Sequence, residues 1–148
     1  MRISSKGRYA LAAITYIARE GNSGENISLN DIASALGISK LYLEQVFTQL
    51  KKAELVSSVK GARGGYRFVH PPSKLTVWNV LRSVENSLAE TSEPTVPDNA
   101  PDVEMALMEK VFAPLDDAIR TILDAVTIQD LLDVANHQIE VQSYMLNL

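Results

Sequence analysis

The chain has 148 residues, 46% hydrophobic and 22% charged, which fits one globular domain, or one domain with an added arm, large enough to bury a core. It contains no cysteine, which excludes disulfides, thiol redox sensing and thiolate-held zinc. The net charge of −4 conceals an asymmetry: residues 1–82 carry 12 Lys and Arg against 5 Asp and Glu, net +7, and residues 83–148 carry 2 against 13, net −11. A polyanion would be met by the first part, and the acidic second part would face away from it. No apolar run nears the roughly 20 residues of a membrane span and no leader is legible, so a cytoplasmic location is expected.

In chain order, residues 1–20 read as a helix with Tyr9, Ala13, Tyr16 and Ile17 on one face, widened by Leu11, Ala12 and Ile14. Its start carries Arg2, Lys6 and Arg8, with Ser4 and Ser5 as caps. That suits phosphate contact, the alternative being a charged, frayed terminus. After a loop over Gly21–Asn26, Ser28-Leu-Asn-Asp31 is a capping sequence for a helix with Leu29, Ile32, Ala33 and Leu36 on one face. Gly37 breaks it, and Ser39 caps a second helix with Leu43, Val46, Phe47 and Leu50 inward. Two short helices about a glycine turn form the geometry that sets a second helix in a DNA major groove. Its outer face carries Lys40, Glu44, Gln45, Thr48, Lys51 and Lys52, which suit bases and phosphates and equally suit an ordinary solvated helix.

Leu55–Lys60, Gly61-Ala-Arg-Gly-Gly65 and Tyr66–Val69 read as strand, glycine-rich loop and strand, placed as a winged helix places its wing. Lys60, Arg63 and Arg67 put positive charge at or beside the tip, suited to a narrow minor groove. The glycine spacing matches neither the Walker nor the dinucleotide pattern. Glu44 repels phosphate, so it needs another reason: accepting from a cytosine amino group, pairing with Lys40 one turn back, or buttressing the wing. Tyr42 suits either stacking on the nucleic-acid backbone or packing at the helix turn.

Thr76 caps a helix with Val77, Val80, Leu81 and Val84 inward, leaving Trp78 off the stripe, at the hinge between winged helix and arm, where core packing is favoured over a ligand platform. Ser87–Pro101 is polar, acidic and Pro-rich, a linker or mobile loop. From Asp102 to Ala125 an apolar stripe of Met108, Val111, Leu115, Ile119, Ile122 and Val126 is broadened by Leu107, Phe112, Ala118 and Leu123. A stripe this wide needs two partners, and Pro114 is expected to break the helix into segments meeting at Ala113-Pro114. Thr127-Ile-Gln-Asp130 is a further capping box, and the apolar tail from Gln138 is expected to dock on a sister subunit, its own arm or a partner protein. His70 and His137 lie apart, so no metal site is expected.

Met1-Arg-Ile-Ser-Ser-Lys-Gly-Arg-Tyr9, Tyr42-Leu-Glu-Gln45, Gly61-Ala-Arg-Gly-Gly-Tyr66 and Thr127-Ile-Gln-Asp-Leu-Leu132 run in family order over nearly the whole chain. On these pieces the chain resembles the Rrf-two family of bacterial winged-helix repressors, which includes iron–sulfur, nitric-oxide and cysteine-metabolism regulators. The resemblance implies a mainly α fold with a small β-hairpin wing: a winged helix-turn-helix plus a long dimerisation helix. The division it suggests is a DNA-binding domain over 1–86, a linker over 87–101, and a dimerisation arm with C-terminal helix over 102–148. Residues and resemblance together nominate Arg2, Ser4, Lys6, Arg8, Ser28, Ser39, Lys40, Tyr42, Glu44, Gln45, Thr48, Lys51, Lys52, Lys60, Arg63 and Gly64 for DNA. Leu41 sits where some relatives place a polar contact residue. Met108, Val111, Leu115, Ile119, Ile122 and Val126 are nominated for the dimer interface. Iron–sulfur members carry three cysteines in the loop that here runs from about Ser87 to Pro101, where this chain has none. Cluster sensing is therefore not carried over and no cofactor is expected. The Tyr144-Met145 ending resembles the cysteine-metabolism repressors, which implies cysteine synthase as a co-repressing partner. The expectation is a homodimeric repressor on a pseudo-palindromic operator. The competing readings are a winged-helix module that binds protein through its acidic arm and a regulator of the same fold answering to an unrelated small-molecule signal; catalysis stands last for want of a nucleophile or an acid/base pair.

Overall fold

Serine caps set the first three helices. The computed structural model describes residues 3–21, 24–90 and 92–147. Helix α1 (Ser5–Glu20) starts behind Ser4, whose hydroxyl accepts from the Gly7 amide at 3.2 Å. Helix α2 (Leu29–Leu36) starts behind Ser28, which accepts from the Asp31 amide at 3.1 Å. Helix α3 (Lys40–Lys52) starts behind Ser39, which accepts from the Tyr42 amide at 3.4 Å. Between α2 and α3, Gly37 takes the left-handed conformation at φ 65°, which ends one helix and turns the chain into the next.

Strands β1 (Val56–Val59) and β2 (Gly65–Phe68) pair antiparallel, with Val56 opposite Phe68 and Val59 opposite Gly65. Ile27 adds a rung: its amide donates to the Tyr66 carbonyl at 2.9 Å and the Tyr66 amide donates back at 2.8 Å. Gly65, at φ 147°, lies so close to this rung that a Cβ would collide with the Ile27 carbonyl. Ile27, between the Gly21–Asn26 loop and the helix pair, thus fastens the wing to that pair.

A 3₁₀ turn (Pro72–Lys74) leads to α4 (Val77–Val84), capped reciprocally by Thr76 and Asn79. A short helix, α5 (Asn86–Ala89), forms the start of the stretch read as linker. The arm follows as α6 (Pro101–Leu107), a π-helical turn (Met108–Phe112) and α7 (Ala113–Asp124). The arm is divided where expected, α7 starting at Ala113-Pro114, but the segments are joined by a π turn and not by a loop. Leu107, Met108, Phe112 and Ala113 all keep right-handed helical angles, and the Ala113 amide reaches five residues back to the Met108 carbonyl. Pro114 has no amide proton and its ring would press on the carbonyl four residues earlier; the wider π turn gives it room along one helical path. Helix α8 (Ile128–Leu146) closes the fold behind a Thr127–Asp130 capping box.

The core gathers Ala13, Ile14 and Ile17 of α1, Ile32 of α2, Leu43, Val46, Phe47 and Leu50 of α3, Val80 and Leu81 of α4, and Ile128 and Leu132 of α8. Two expected core positions of α1 differ: Ala12 is exposed and Tyr9 is 41% exposed, because Ala10 takes the inward position. The chain after α7 is sewn back to the start of α4 and the residues just before it: the Val77 amide donates to the Val126 carbonyl, and the Ile128 amide to the Leu75 carbonyl, both at 2.8 Å. Val126, nominated for the dimer interface, is half-buried here. It lies beyond the end of α7 and packs against this chain's own core. No helix among the described residues is long and apolar enough to cross a membrane.

Candidate nucleic-acid interface

Because α3 commits Leu43, Val46, Phe47 and Leu50 to the core, its other face must look outward, and Lys40, Leu41, Glu44, Gln45, Thr48, Lys51 and Lys52 are all exposed. A series of contacts sets the neighbouring elements around this face. Tyr9 of α1 meets half-buried Tyr42 edge-on, with ring centroids 5.4 Å apart. Phe47 packs on Tyr66 of the wing at 4.6 Å. The Lys51 ammonium donates to the Ser58 hydroxyl at 2.7 Å, tying the end of α3 to β1. The Asn26 amide nitrogen donates to the Arg63 carbonyl at 3.2 Å, tying the wing tip to the segment before α2.

Glu44 acts on the base of the wing. Burial first, and the Glu44 carboxylate second, push the Tyr66 phenol above its ordinary value. The anticipated Lys40 pairing is not formed; the ion pairs among the described residues are Arg19–Glu20 and Lys110–Glu109. Thr48 donates its hydroxyl to the Glu44 carbonyl at 2.7 Å, leaving its oxygen as an outward acceptor. Ser28 and Ser39 spend an acceptor lone pair on their caps and keep their O–H free to donate. On the wing, Lys60 and Arg63 are exposed, and Gly64 is held where a Cβ would collide with the Val59 carbonyl.

Ser4 departs from expectation. Its amide donates to Glu85 Oε1 at 2.7 Å and its hydroxyl donates to the same oxygen. Glu85 is only 8% exposed, and Gly7 is small because a Cβ there would strike this carboxylate. The N-terminal end of α1 therefore already holds an internal anion, as its dipole favours. A phosphate at this end would meet Arg8, which is exposed, and half-buried Lys6 rather than the Ser4 donors. Arg2 lies outside the described residues. Asn26 and Glu85 escaped the sequence reading because their partners lie 37 and 81 residues away. The only local hint at Asn26 was its place beside Ile27, a lone apolar residue in a polar stretch.

The arm presents a different surface. Met108 and Ile119 are half-buried, while Val111, Leu115 and Ile122 are exposed, as is Met105, which the sequence reading had not singled out. Trp78 lies between α4 and α7, with the Arg120 guanidinium 5.8 Å from its ring centroid. The connecting loop is held by carboxylates: Glu104, 8% exposed, accepts from the Thr95 and Val96 amides, and Asp116 accepts from the Ser92 hydroxyl at 3.0 Å. Past Ala135, α8 is exposed, including Ile139, Tyr144, Met145 and Leu146.

Two capped helices about a glycine turn, followed by a hairpin bonded back to the segment before them, define a winged helix-turn-helix. The chain belongs to the Rrf2 (Rrf-two) family: residues 3–134 match the family described as iron-dependent transcriptional regulator. It is 32% identical over 145 residues to the HTH-type transcriptional regulator CymR of Bacillus subtilis, covering 98% of each chain. It is 43% identical over 91 residues to the HTH-type transcriptional regulator IscR of Aliivibrio salmonicida, where the match spans 62% of this chain and 54% of that relative. The solved structure of CymR (YrzC), the global cysteine regulator of B. subtilis, superposes with a TM-score of 0.74 at 30% identity, over 90% of this chain and 98% of that one. The chain is thus a DNA-binding transcriptional regulator of this family. The residues do not fit a thiolate-held iron centre: the sequence has no cysteine, and the described residues contain no group of three or more His, Asp or Glu able to hold a metal. The one buried carboxylate at the connecting loop, Glu104, is already taken up by backbone amides.

Proposed function

We propose that the chain is a homodimeric, sequence-specific repressor whose two α3 helices enter successive major grooves of a pseudo-palindromic operator while the wings reach the flanking minor grooves. The observation that carries this is that Lys51–Ser58 ties the exposed α3 face to the wing while Asn26–Arg63 ties the cationic wing tip to the segment before α2. Held together in this way, Gln45, Glu44 and Thr48 would read base edges, while Lys40, Lys51, Lys52, Lys60, Arg63 and Arg8 would neutralise phosphates. Ser28, Ser39 and the Gly64 backbone would add hydrogen bonds to the DNA backbone. Residues 1–86 act as the reading head, 87–101 as the connector and 102–148 as the pairing arm, with α8 returning Ile128 and Leu132 to the head's core.

Pairing through Met108, Val111, Leu115, Ile119 and Ile122 would place two heads on one rigid body, so the second half-site binds at high effective concentration. Bound across a promoter, such a dimer would repress by occlusion. The match to CymR, a global cysteine regulator, over 98% of each chain supports a role in cysteine or sulfur metabolism in the cytoplasm; cysteine synthase would be a co-repressing partner, for which the exposed end of α8 offers a surface. The proposed function is regulatory and not enzymatic.

Selection of bound DNA from a random duplex library at two salt concentrations tests the reading. A two-fold symmetric motif whose affinity falls steeply with salt is expected. Failure to enrich any motif, with cysteine synthase absent and then added, would reject it.

A further inference from the structure

Leu41 is an apolar side chain on an otherwise polar reading face. It stands in the first turn of α3 and is 67% exposed, while Leu43, Val46, Phe47 and Leu50 of the same helix are completely buried. No other large apolar side chain among the described residues before residue 100 is as exposed; the next, Val69, is 46%. The core does not use it, and the cap of α3 is supplied by Ser39. Along the helix surface it lies one turn from Gln45, in the same row, with Glu44 beside that row.

We infer that Leu41 is a specificity-determining residue that reads the C5-methyl group of a thymine in the operator, resting on the DNA-binding reading above. The residues at the start of the second helix of such a fold face base edges, and the thymine methyl is the one apolar group that base pairs display in the major groove. Against any other base edge, Leu41 would strip water from donors and acceptors without replacing their hydrogen bonds, which penalises those bases. Gln45, one turn on, offers the paired donor and acceptor that suit adenine, so the row as a whole favours A·T pairs. Contact with the methyl buries Leu41 surface that the free protein leaves in water.

The test uses the full-length protein and the operator recovered by duplex selection. Each thymine of the half-site is replaced in turn by uracil, which removes only the methyl. One position per half-site is expected to weaken wild-type binding about three- to fivefold, the worth of one buried methyl group. Leu41→Ala is expected to bind the thymine and uracil duplexes equally, with an unchanged thermal midpoint, and Leu41→Met to restore the preference for thymine. Wild-type indifference to every uracil, or a Leu41→Ala variant that keeps the wild-type uracil profile, would overturn the assignment while leaving DNA binding intact. Failure to recover any operator would overturn the DNA reading and this inference with it.

Discussion

Helices α3 and α7 are both amphipathic and nearly equal in length, at 13 and 12 residues, yet α3 buries four side chains completely and α7 buries none. The difference lies in what surrounds them. α3 is wrapped by α1, α2, α4 and β1, so its apolar face is satisfied within the chain and its polar face is fixed in direction. Beyond its helical neighbours along the arm, α7 leans on α4, and Leu115 and Ile122 stay in water at 51% and 66% exposure. Apolar periodicity states that a face needs covering; the topology decides whether the cover comes from the same chain. Charge divides the same way, with net +7 on the half whose core is complete and −11 on the half with the open stripe. A basic head with a fixed outer face suits a polyanion, and an acidic arm with an open apolar face suits a partner surface directed away from it.

The sharpest way to break this contrast is to exchange the fates of the two helices. Phe47→Ala should cost about 3–5 kcal/mol in urea denaturation, because its ring is fully buried and packs against Tyr66. A loss comparable to that of a surface substitution would mean that α3 is not anchored as described. Leu115→Asp combined with Ile122→Asp should leave folding nearly intact and convert dimer to monomer in sedimentation velocity. Operator affinity should then fall about a hundredfold as the effective-concentration advantage is lost. An intact dimer would show that these side chains are ordinary surface.

Smaller changes probe the head alone. Arg63→Ala should weaken operator binding about tenfold and reduce the salt slope by about one ion. An unchanged slope would remove Arg63 from phosphate or minor-groove contact. Asn26→Ala, which frees the Arg63 carbonyl, should reproduce a fraction of that loss, about threefold, and should add nothing in an Arg63→Ala background if it acts through the wing. Glu44→Ala should change base preference at one operator position in a selection experiment and leave affinity for other positions alone. A uniform loss on all sequences would assign Glu44 to wing support, a role consistent with its influence on Tyr66.

The legible features were those whose cause is local in the chain. The caps at Ser28, Ser39, Thr76 and Thr127 each join a side chain to an amide three residues on, and glycine at 37 and in the wing announces a turn. Hidden features depend on contacts across the fold. Ser4–Glu85 and Asn26–Arg63 have no periodic signature, so the end of α1 looked open to phosphate when a buried carboxylate already occupies it. At Val126 the apolar spacing continued past the true end of the helix, and only the bonds to the start of α4 and the residues just before it show that the chain has turned back to its own core. At Pro114 the sequence shows that a hydrogen bond must be lost, but not that a π turn, Met108–Phe112, accommodates the loss just before α7. Of the candidate interface, the exposed residues of α3 and the wing could be read from the sequence; the ties that hold the two together could not.

The pairing of two heads through one arm is tested most directly by measuring mass by sedimentation equilibrium, for the free protein and for its complexes with duplexes carrying one or two half-sites. Twice the 16.2 kDa chain mass in the free protein, and two chains on a full-site duplex, is the result expected. A single-chain mass in solution, with one chain binding a half-site as tightly as a full site, would contradict it.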